Sequence, residues 1–395
     1  MATVSAVAIL LYRKEVDFVV KHFEVESAKR KIEIFYKEPE PFTKYTERET
    51  LAYALGAALY MPALRESIAG ELVTKKYREL TSVVIDLEDA VGDSRLEEAE
   101  QMLIQHISNI NRAVEEQKVL VEELPLIFIR VRSPQQMKRV TQQLGRLQRV
   151  LTGYVFPKFS YEAGKDYLEI LKNNNSEDMV LYGMPVLETA DIVYKETRIP
   201  TLNKIKELLE AYQAYILNIR IGATDFCGLY GIRRKVNTSI YDVLVIRDCL
   251  TDIMNLFNRN GSGFVLSGPV WEFFSNNQSS NPYLDGLMNE VMLDQLNGFV
   301  GKTVIHPTHI KPVHSLYVVS HEDYLDATSI LDYNDGQVGV VKSEYANKMN
   351  EMKPHFSWAK RILLQAKVFG VYNKGKTFTH LMTEEKQCNE GAKKW

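Results

Sequence analysis

The sequence predicts an α/β protein built as a (β/α)8 barrel, with an extension at each end. Two observations favour the barrel and one weakens its rival. Strand-like and helix-like stretches alternate about eight times over roughly 280 residues, which is the size of such a barrel. Polar residues gather just after the strands, at Glu88, Asp89, Arg130, Arg132, Lys158, Glu188, Asp225 and His306. A barrel brings all its strand C-terminal ends to one active face, whereas an open sheet spreads them along a line. No Gly-x-Gly-x-x-Gly follows the first strand, so nothing supports a dinucleotide-binding doubly wound sheet.

The divisions read as residues 1–50, an N-terminal extension; 51–320, the barrel; and 321–395, a C-terminal helical extension. In the first, Val4–Tyr12 reads as a strand or a short helix, and 37–42, with two prolines, reads as a connector. The barrel begins with an apolar run at Ala58–Met61, followed by helical spacing from Arg65 to Leu80. Ser82–Leu87 is a strand. Arg95–Val114 is a helix with Leu96, Ala99, Leu103, His106 and Ile110 on one face. Strands at Leu126–Val131 and Gly153–Phe159 are followed by helices at Gln135–Leu151 and Ala163–Leu171. Gly183–Ala190 and Ile219–Phe226 are strand-like runs separated by a helix around Leu202–Tyr215. An apolar helix at Ile240–Phe257, a strand at Gly263–Leu266, a helix at Tyr283–Leu296 and a strand at Thr303–Ile305 complete the series. Beyond it, Asp323–Leu331 is helical, Asp332–Gly339 is a polar loop, and Trp358–Phe369 is an amphipathic helix that packs on the barrel or a second subunit. The tail from Thr383 is expected to be mobile.

Composition narrows the function classes. The chain has 395 residues and a formal charge of −3, so no bulk charge favours nucleic acid or an anionic membrane. Its apolar runs are too short to cross a bilayer, and Ala6–Tyr12 lacks the basic start and small-residue cleavage site of a secretory signal. The three cysteines, Cys227, Cys249 and Cys388, are widely spaced and form no Cys-x-x-Cys pair, which argues against a disulfide framework or a structural zinc site. The expected protein is cytoplasmic.

The sharpest signal lies in Tyr182–Phe226. Strand, helix, strand implies parallel strands whose C-terminal ends share one face. Each strand-like run ends in an acid, Glu188 and Asp225, with no Cys or His beside them. Such a pair is a hard oxygen site suited to Mg2+; the alternative is that each acid caps the helix behind it. A second acidic cluster, Asp86-Leu87-Glu88-Asp89, ends an earlier strand. Alternation puts Asp86 and Glu88 on one side, and either Asp86 or Asp89 is suited to holding a metal-bound water or steadying an arginine. His306, His309 and His314 lie close in sequence, but Pro307 breaks helical His-x-x-x-His spacing, which favours a hydrogen-bonded histidine over zinc. Asn260–Gly263 precedes a strand and reads as a turn on the opposite face.

The chain resembles the HpcH/HpaI aldolase and citrate lyase β-subunit family. Seven stretches match its pattern in order over residues 55–325: Met61–Arg65, Ile85–Val91, Ile129–Val131, Phe156–Lys158, Leu187–Thr189, Gly222–Asp225, and Gly298–Lys302 running into Ile305–Pro307. The resemblance implies a TIM barrel with Mg2+, or another divalent cation, on Glu188 and Asp225. It implies that Arg130 meets a substrate carboxylate or carbonyl, and that a carbon–carbon bond next to a carboxylate is made or broken, often on acyl-CoA or acyl-carrier substrates. Met61-Pro62-Ala63-Leu64-Arg65 departs from the usual Val-Pro-Gly-Asn-Arg, and Arg132 replaces a usual asparagine. These changes and the extensions mark a divergent branch, similar to lyase-like proteins of tellurium-resistance clusters.

On this reading Arg130 and Asp89 are the catalytic residues, and Arg65, Arg130, Arg132 and Lys158 meet the substrate. A guanidinium fork suits a carboxylate better than a point charge. The base is open between Asp89, a metal-bound hydroxide and a group from another subunit. The expected partners are a small carboxylate or acyl substrate, CoA-linked ones included, and further copies of the chain in a homo-oligomer. A different class of function also fits: a metal-pocket barrel serving as a non-catalytic binding or assembly component of a stress-response complex.

Overall fold

A computed structural model describes residues 20–25, 27–275, 281–333 and 338–383. Val4–Tyr12, Cys388 and the tail beyond Thr383 lie outside the described residues. Eight strands form the centre: β1 Ala57–Pro62, β2 Ser82–Asp86, β3 Leu126–Arg130, β4 Gly153–Phe156, β5 Tyr182–Leu187, β6 Ile219–Ile221, β7 Leu266–Ser267 and β8 Lys302–Val304. Consecutive strands from β1 to β7 pair in parallel, and β8 pairs in parallel with β1. A parallel bridge between Gly268 and Lys302 closes the ring, with Val300 N donating to Leu266 O at 2.8 Å. The fold is therefore a (β/α)8 barrel, as the strand–helix alternation predicts.

One main helix follows each strand: α1 Ile68–Val73, α2 Leu96–Glu115, α3 Pro134–Leu144, α4 Tyr161–Asn174, α5 Lys195–Ala211, α6 Leu244–Phe257, α7 Pro282–Leu296 and α8 Ile310–Tyr317. Local chemistry sets several starts. Ser133 caps α3 ahead of Pro134, Ser160 caps α4, and Asn281 caps α7 ahead of Pro282. α2 buries Ala99, Leu103, His106 and Ile110, the face its spacing predicts.

Several boundaries differ from the sequence reading, these three among them. α1 is one short helix rather than a run from Arg65 to Leu80, because Lys75 turns to φ +52° directly after it. β6 stops at Ile221, so Asp225 lies in the first turn of the helix Ala223–Leu229 and not on a strand end. β7 begins later than Gly263, whose φ of +69° belongs to the turn before it.

Strand alternation divides the side chains between lumen and helical layer. Arg220 Nη2 donates to Thr303 Oγ1 at 2.6 Å. β6 and β8 are not neighbours, so this bond crosses the lumen. Lys302, one residue away, faces the helices and is fully buried among Glu290 (3.0 Å) and Asp294 (2.7 Å). Arg234 joins Glu290 at 2.5 Å, and Tyr241 donates to Asp294 at 2.7 Å, so the buried charges there are matched.

Segments from both ends of the chain close the strand N-terminal side. Phe35–Lys37 pairs antiparallel with Val371–Tyr372. The helix Met352–Phe369 packs on the helix Arg48–Ala54 and on the helix His321–Asp332. His22 bonds the Val368 carbonyl at 2.9 Å and packs on Phe369 and His314. His314 Nε2 in turn accepts the Ala57 N–H at 3.0 Å. Gly56 lies beneath them at φ +56°, where a Cβ would stand 2.5 Å from His314 Nε2.

Candidate active site

At the strand C-terminal ends a cluster of five carboxylates meets two cations. Asp86 ends β2 and is buried; its two oxygens accept Nε and Nη2 of Arg130, each at 2.6 Å, in a fork-to-fork pair. The same carboxylate accepts the backbone N–H groups of Glu88 (2.9 Å) and Ala90 (3.2 Å), so the loop that follows β2 folds around it. The third guanidinium nitrogen, Nη1, lies 3.0 Å from Glu88 and 3.1 Å from Asp89. Burial works against the Arg130 charge, but the Asp86 bonds outweigh it and hold the guanidinium protonated.

Lys158 spans the mouth from the end of β4. Its ammonium contacts Glu88 and stands 3.7 Å from Asp89 and 3.9 Å from Asp225. Its backbone is left-handed, with φ +46°, an uncommon conformation for a side-chain-bearing residue. That conformation accompanies a specific contact: the Lys158 N–H donates to Glu188 Oε1 at 2.7 Å.

Glu188 follows β5 and is buried. Its carboxyl is pushed up to about 8, first by burial and then by the charge of Asp225. Asp225 is itself raised, by burial first. Beside Glu188, directly after the end of β6, lies Gly222, where a Cβ would stand 2.1 Å from Glu188 Oε2 and 2.4 Å from its Cβ. The glycine is thus required by a side-chain approach; its own φ of −92° is open to any residue.

These observations test the divalent-cation expectation. Two oxygen donors, one of them buried, both hold a proton more tightly than a free carboxyl, Glu188 through burial and the charge of Asp225, and Asp225 through burial first. One is oriented by a backbone N–H and given room by a glycine. The pair fits a hard cation that keeps water or substrate in its remaining positions. Among the described residues no three His, Cys, Asp or Glu side chains form a complete metal cage, so protein side chains alone would not fill a coordination sphere.

Of the residues singled out from sequence, Arg130, Asp89, Lys158, Glu188 and Asp225 come together here. Arg65 and Arg132 are engaged elsewhere. Arg65 bonds Glu71 at 2.6 Å, Ser67 at 3.2 Å and Tyr77 at 3.2 Å. Arg132 contacts Asp93 and clamps the carbonyls of Glu88 (3.1 Å) and Val91 (2.7 Å), bracing the acidic loop. His306 bonds Thr308 at 2.8 Å and stacks on Phe274 at 4.5 Å. His314 lies against His22, with its Nε2 bonded at the start of β1. Sequence reasoning missed Tyr60, half-buried in the lumen, with the Arg130 and Arg220 guanidinium carbons 5.2 and 5.9 Å from its ring centre. A tyrosine inside an apolar strand carries no signal of which way it faces until register is known.

The sequence profile of C–C bond lyases of the TIM-barrel fold matches residues 49–371. The chain belongs to this family. No curated protein matches it. Solved structures share the fold. A citrate lyase from Burkholderia xenovorans superposes with a TM-score of 0.58 at 14% identity, covering 83% of this chain and 96% of that one. CitE from Mycobacterium tuberculosis, solved with magnesium, acetoacetate and coenzyme A, gives a TM-score of 0.52 at 18% identity, covering 80% and 99%. No helix among the described residues is long and apolar enough to cross a membrane.

Proposed function

We propose that this protein is a Mg2+-dependent carbon–carbon bond lyase or aldolase acting on a small carboxylate or acyl substrate, CoA-linked ones included, through an enolate. The observation that carries the reading is the Glu188–Asp225 pair beside Arg130 at one barrel mouth. The CitE relative crystallised with magnesium, acetoacetate and coenzyme A supports the substrate class by similarity.

Glu188 and Asp225 are the residues that would hold the cation. Bound there, it supplies a Lewis acid for the oxygen that gains charge as the bond breaks. The protein's own groups do the rest. Asp86 fixes the plane of Arg130 through two bonds, which leaves Nη1 as the donor aimed at the open mouth. That donor meets a substrate oxygen in place of Asp89 or Glu88. Asp89, with its side chain 54% exposed, is the most accessible of the five acids. In the cleavage direction it accepts the hydroxyl proton of a β-hydroxy acyl substrate. The electron pair of the broken bond passes to the enolate, whose carbon then takes a proton. Lys158 supplies positive charge to a carboxylate entering between β2 and β6.

A second reading, a barrel that binds a carboxylate without turning it over, draws on one observation: Arg130 and Lys158 both start out engaged by internal carboxylates. Metal-dependent exchange of substrate C–H protons separates the two. An active lyase exchanges them and a binding protein does not.

A further inference from the structure

Arg220 stands apart from the other deeply buried arginines. Arg130 is answered by Asp86, Arg198 by Asp248 and Asp252, and Arg234 by Glu290. Arg220 is 1% exposed, and no carboxylate among the described residues is paired with it. Its one bond goes to the neutral hydroxyl of Thr303, and both Nε and Nη1 are without a partner. A buried charge left in this state is costly unless something else supplies the missing acceptor.

Its place in the barrel indicates what that acceptor is. The strand register sets Arg220 opposite Val186, two residues before Glu188 on β5, so Arg220 lies one layer below the metal-binding pair. Between Arg220 and the mouth stands Tyr60, with its ring 5.9 Å from the Arg220 guanidinium carbon and 5.2 Å from that of Arg130. Burial raises the Tyr60 phenol, the two arginines oppose that rise, and the net result is a hydroxyl that remains a donor. Beneath the site a phenol therefore covers a buried guanidinium, two of whose nitrogens lack an acceptor, while the rim is dominated by carboxylates.

We infer that Arg220, together with the Tyr60 hydroxyl, receives a second carboxylate of the substrate and makes this a site selective for dianionic over monoanionic acids. The inference rests on the lyase reading for the position of the first carboxylate. Arg220 reaches its ligand past the Tyr60 ring, so the second carboxylate enters as the end of a short chain and not as a bulky group.

The test measures binding by calorimetry in saturating Mg2+, on the full chain, with two pairs of probes that differ by one carboxylate: pyruvate against oxaloacetate, and 2-oxobutyrate against 2-oxoglutarate. The parent is expected to bind the dianion of at least one pair about 10- to 100-fold more tightly, the range of a charge-assisted hydrogen bond. Arg220→Met should erase that preference while leaving monoanion affinity within about twofold, and Arg220→Lys should restore part of it. Thermal melting of each variant checks that it folds. A parent that binds both members of both pairs equally overturns the inference whether or not the variants fold, and does so without touching the lyase reading. An Arg220→Met protein that folds and keeps the preference also overturns it. A parent that binds no probe and shows no substrate exchange overturns the lyase reading and the inference together.

Discussion

Replacing Gly222 with alanine tests how the barrel makes room for Glu188. The added Cβ would stand 2.1 Å from Glu188 Oε2, where ordinary van der Waals contact begins at 3.4 Å. The backbone gives no reason for a glycine, since φ is −92° and ψ 69°. The effect must therefore come from the approach to Glu188: its carboxyl can rotate away, but its Cβ, 2.4 Å from the added one, moves only with the backbone. Moving it breaks the 2.7 Å bond from the Lys158 N–H. Overpacking of this kind costs about 1–3 kcal/mol, and a displaced carboxylate can no longer share a cation with Asp225. Gly222→Ala should thus lose about 1–3 kcal/mol in urea unfolding and at least tenfold in Mg2+ affinity by calorimetry. Gly70→Ala is the control. No atom lies within 4 Å of its added Cβ, and it sits inside α1, so it should gain about 0.4–1 kcal/mol. A Gly222→Ala protein with parental stability and parental Mg2+ affinity would refute this account of the glycine.

Glu188→Gln or Asp225→Asn should each weaken Mg2+ binding sharply in calorimetry without lowering the melting temperature, because two mutually repelling acids contribute little to the fold. Asp86→Asn should cost about 3–5 kcal/mol in urea unfolding, since it leaves the buried Arg130 without its main counter-charge. Lys158→Gly should retain the left-handed turn more easily than Lys158→Ala, so the glycine variant should melt higher although both lack the ammonium. Burial holds His22 down to about 3 and His309 down to about 4, and lowers His314 as well. These rings stay neutral in the folded chain while the unfolded chain takes up protons near pH 6.5, so stability is full above that pH and falls as pH drops toward 4. His22→Phe should flatten that fall by about 1.4 kcal/mol per pH unit in chemical denaturation measured from pH 7 to pH 4.5.

Much of this arrangement is legible in the chain. Strand–helix alternation is a local property, and each apolar run such as Ser82–Asp86 or Leu126–Arg130 carries its own signal. So does an acid at a run's end, and Glu188 and Asp225 both lie against Lys158 at one barrel mouth. The boundaries are less visible. Ile219–Phe226 reads as one strand because nothing local marks Gly222 as the point where the chain leaves the sheet. Partner choice is less visible still. Arg65 and Arg132 are cations near a strand end in sequence, but Glu71 and the carbonyls around Glu88 claim them. Asp86 could be read as an arginine's support because alternation places it, whereas the facing of Tyr60 and Arg220 depends on register between strands more than a hundred residues apart. The contact of His22 with His314 joins the two ends of the chain and has no local trace.

The most direct test of the central claim is deuterium exchange in D2O, followed by NMR, into short 2-oxo and acyl substrates with and without Mg2+. If the Glu188–Asp225 pair and Arg130 support enolate chemistry, the parent exchanges the hydrogens next to the carbonyl of at least one substrate only when Mg2+ is present. Glu188→Gln then abolishes that exchange while folding normally, and Arg130→Lys slows it at saturating substrate. A folded parent that binds Mg2+ and a carboxylate yet exchanges nothing, or one that exchanges equally well without the metal, contradicts it.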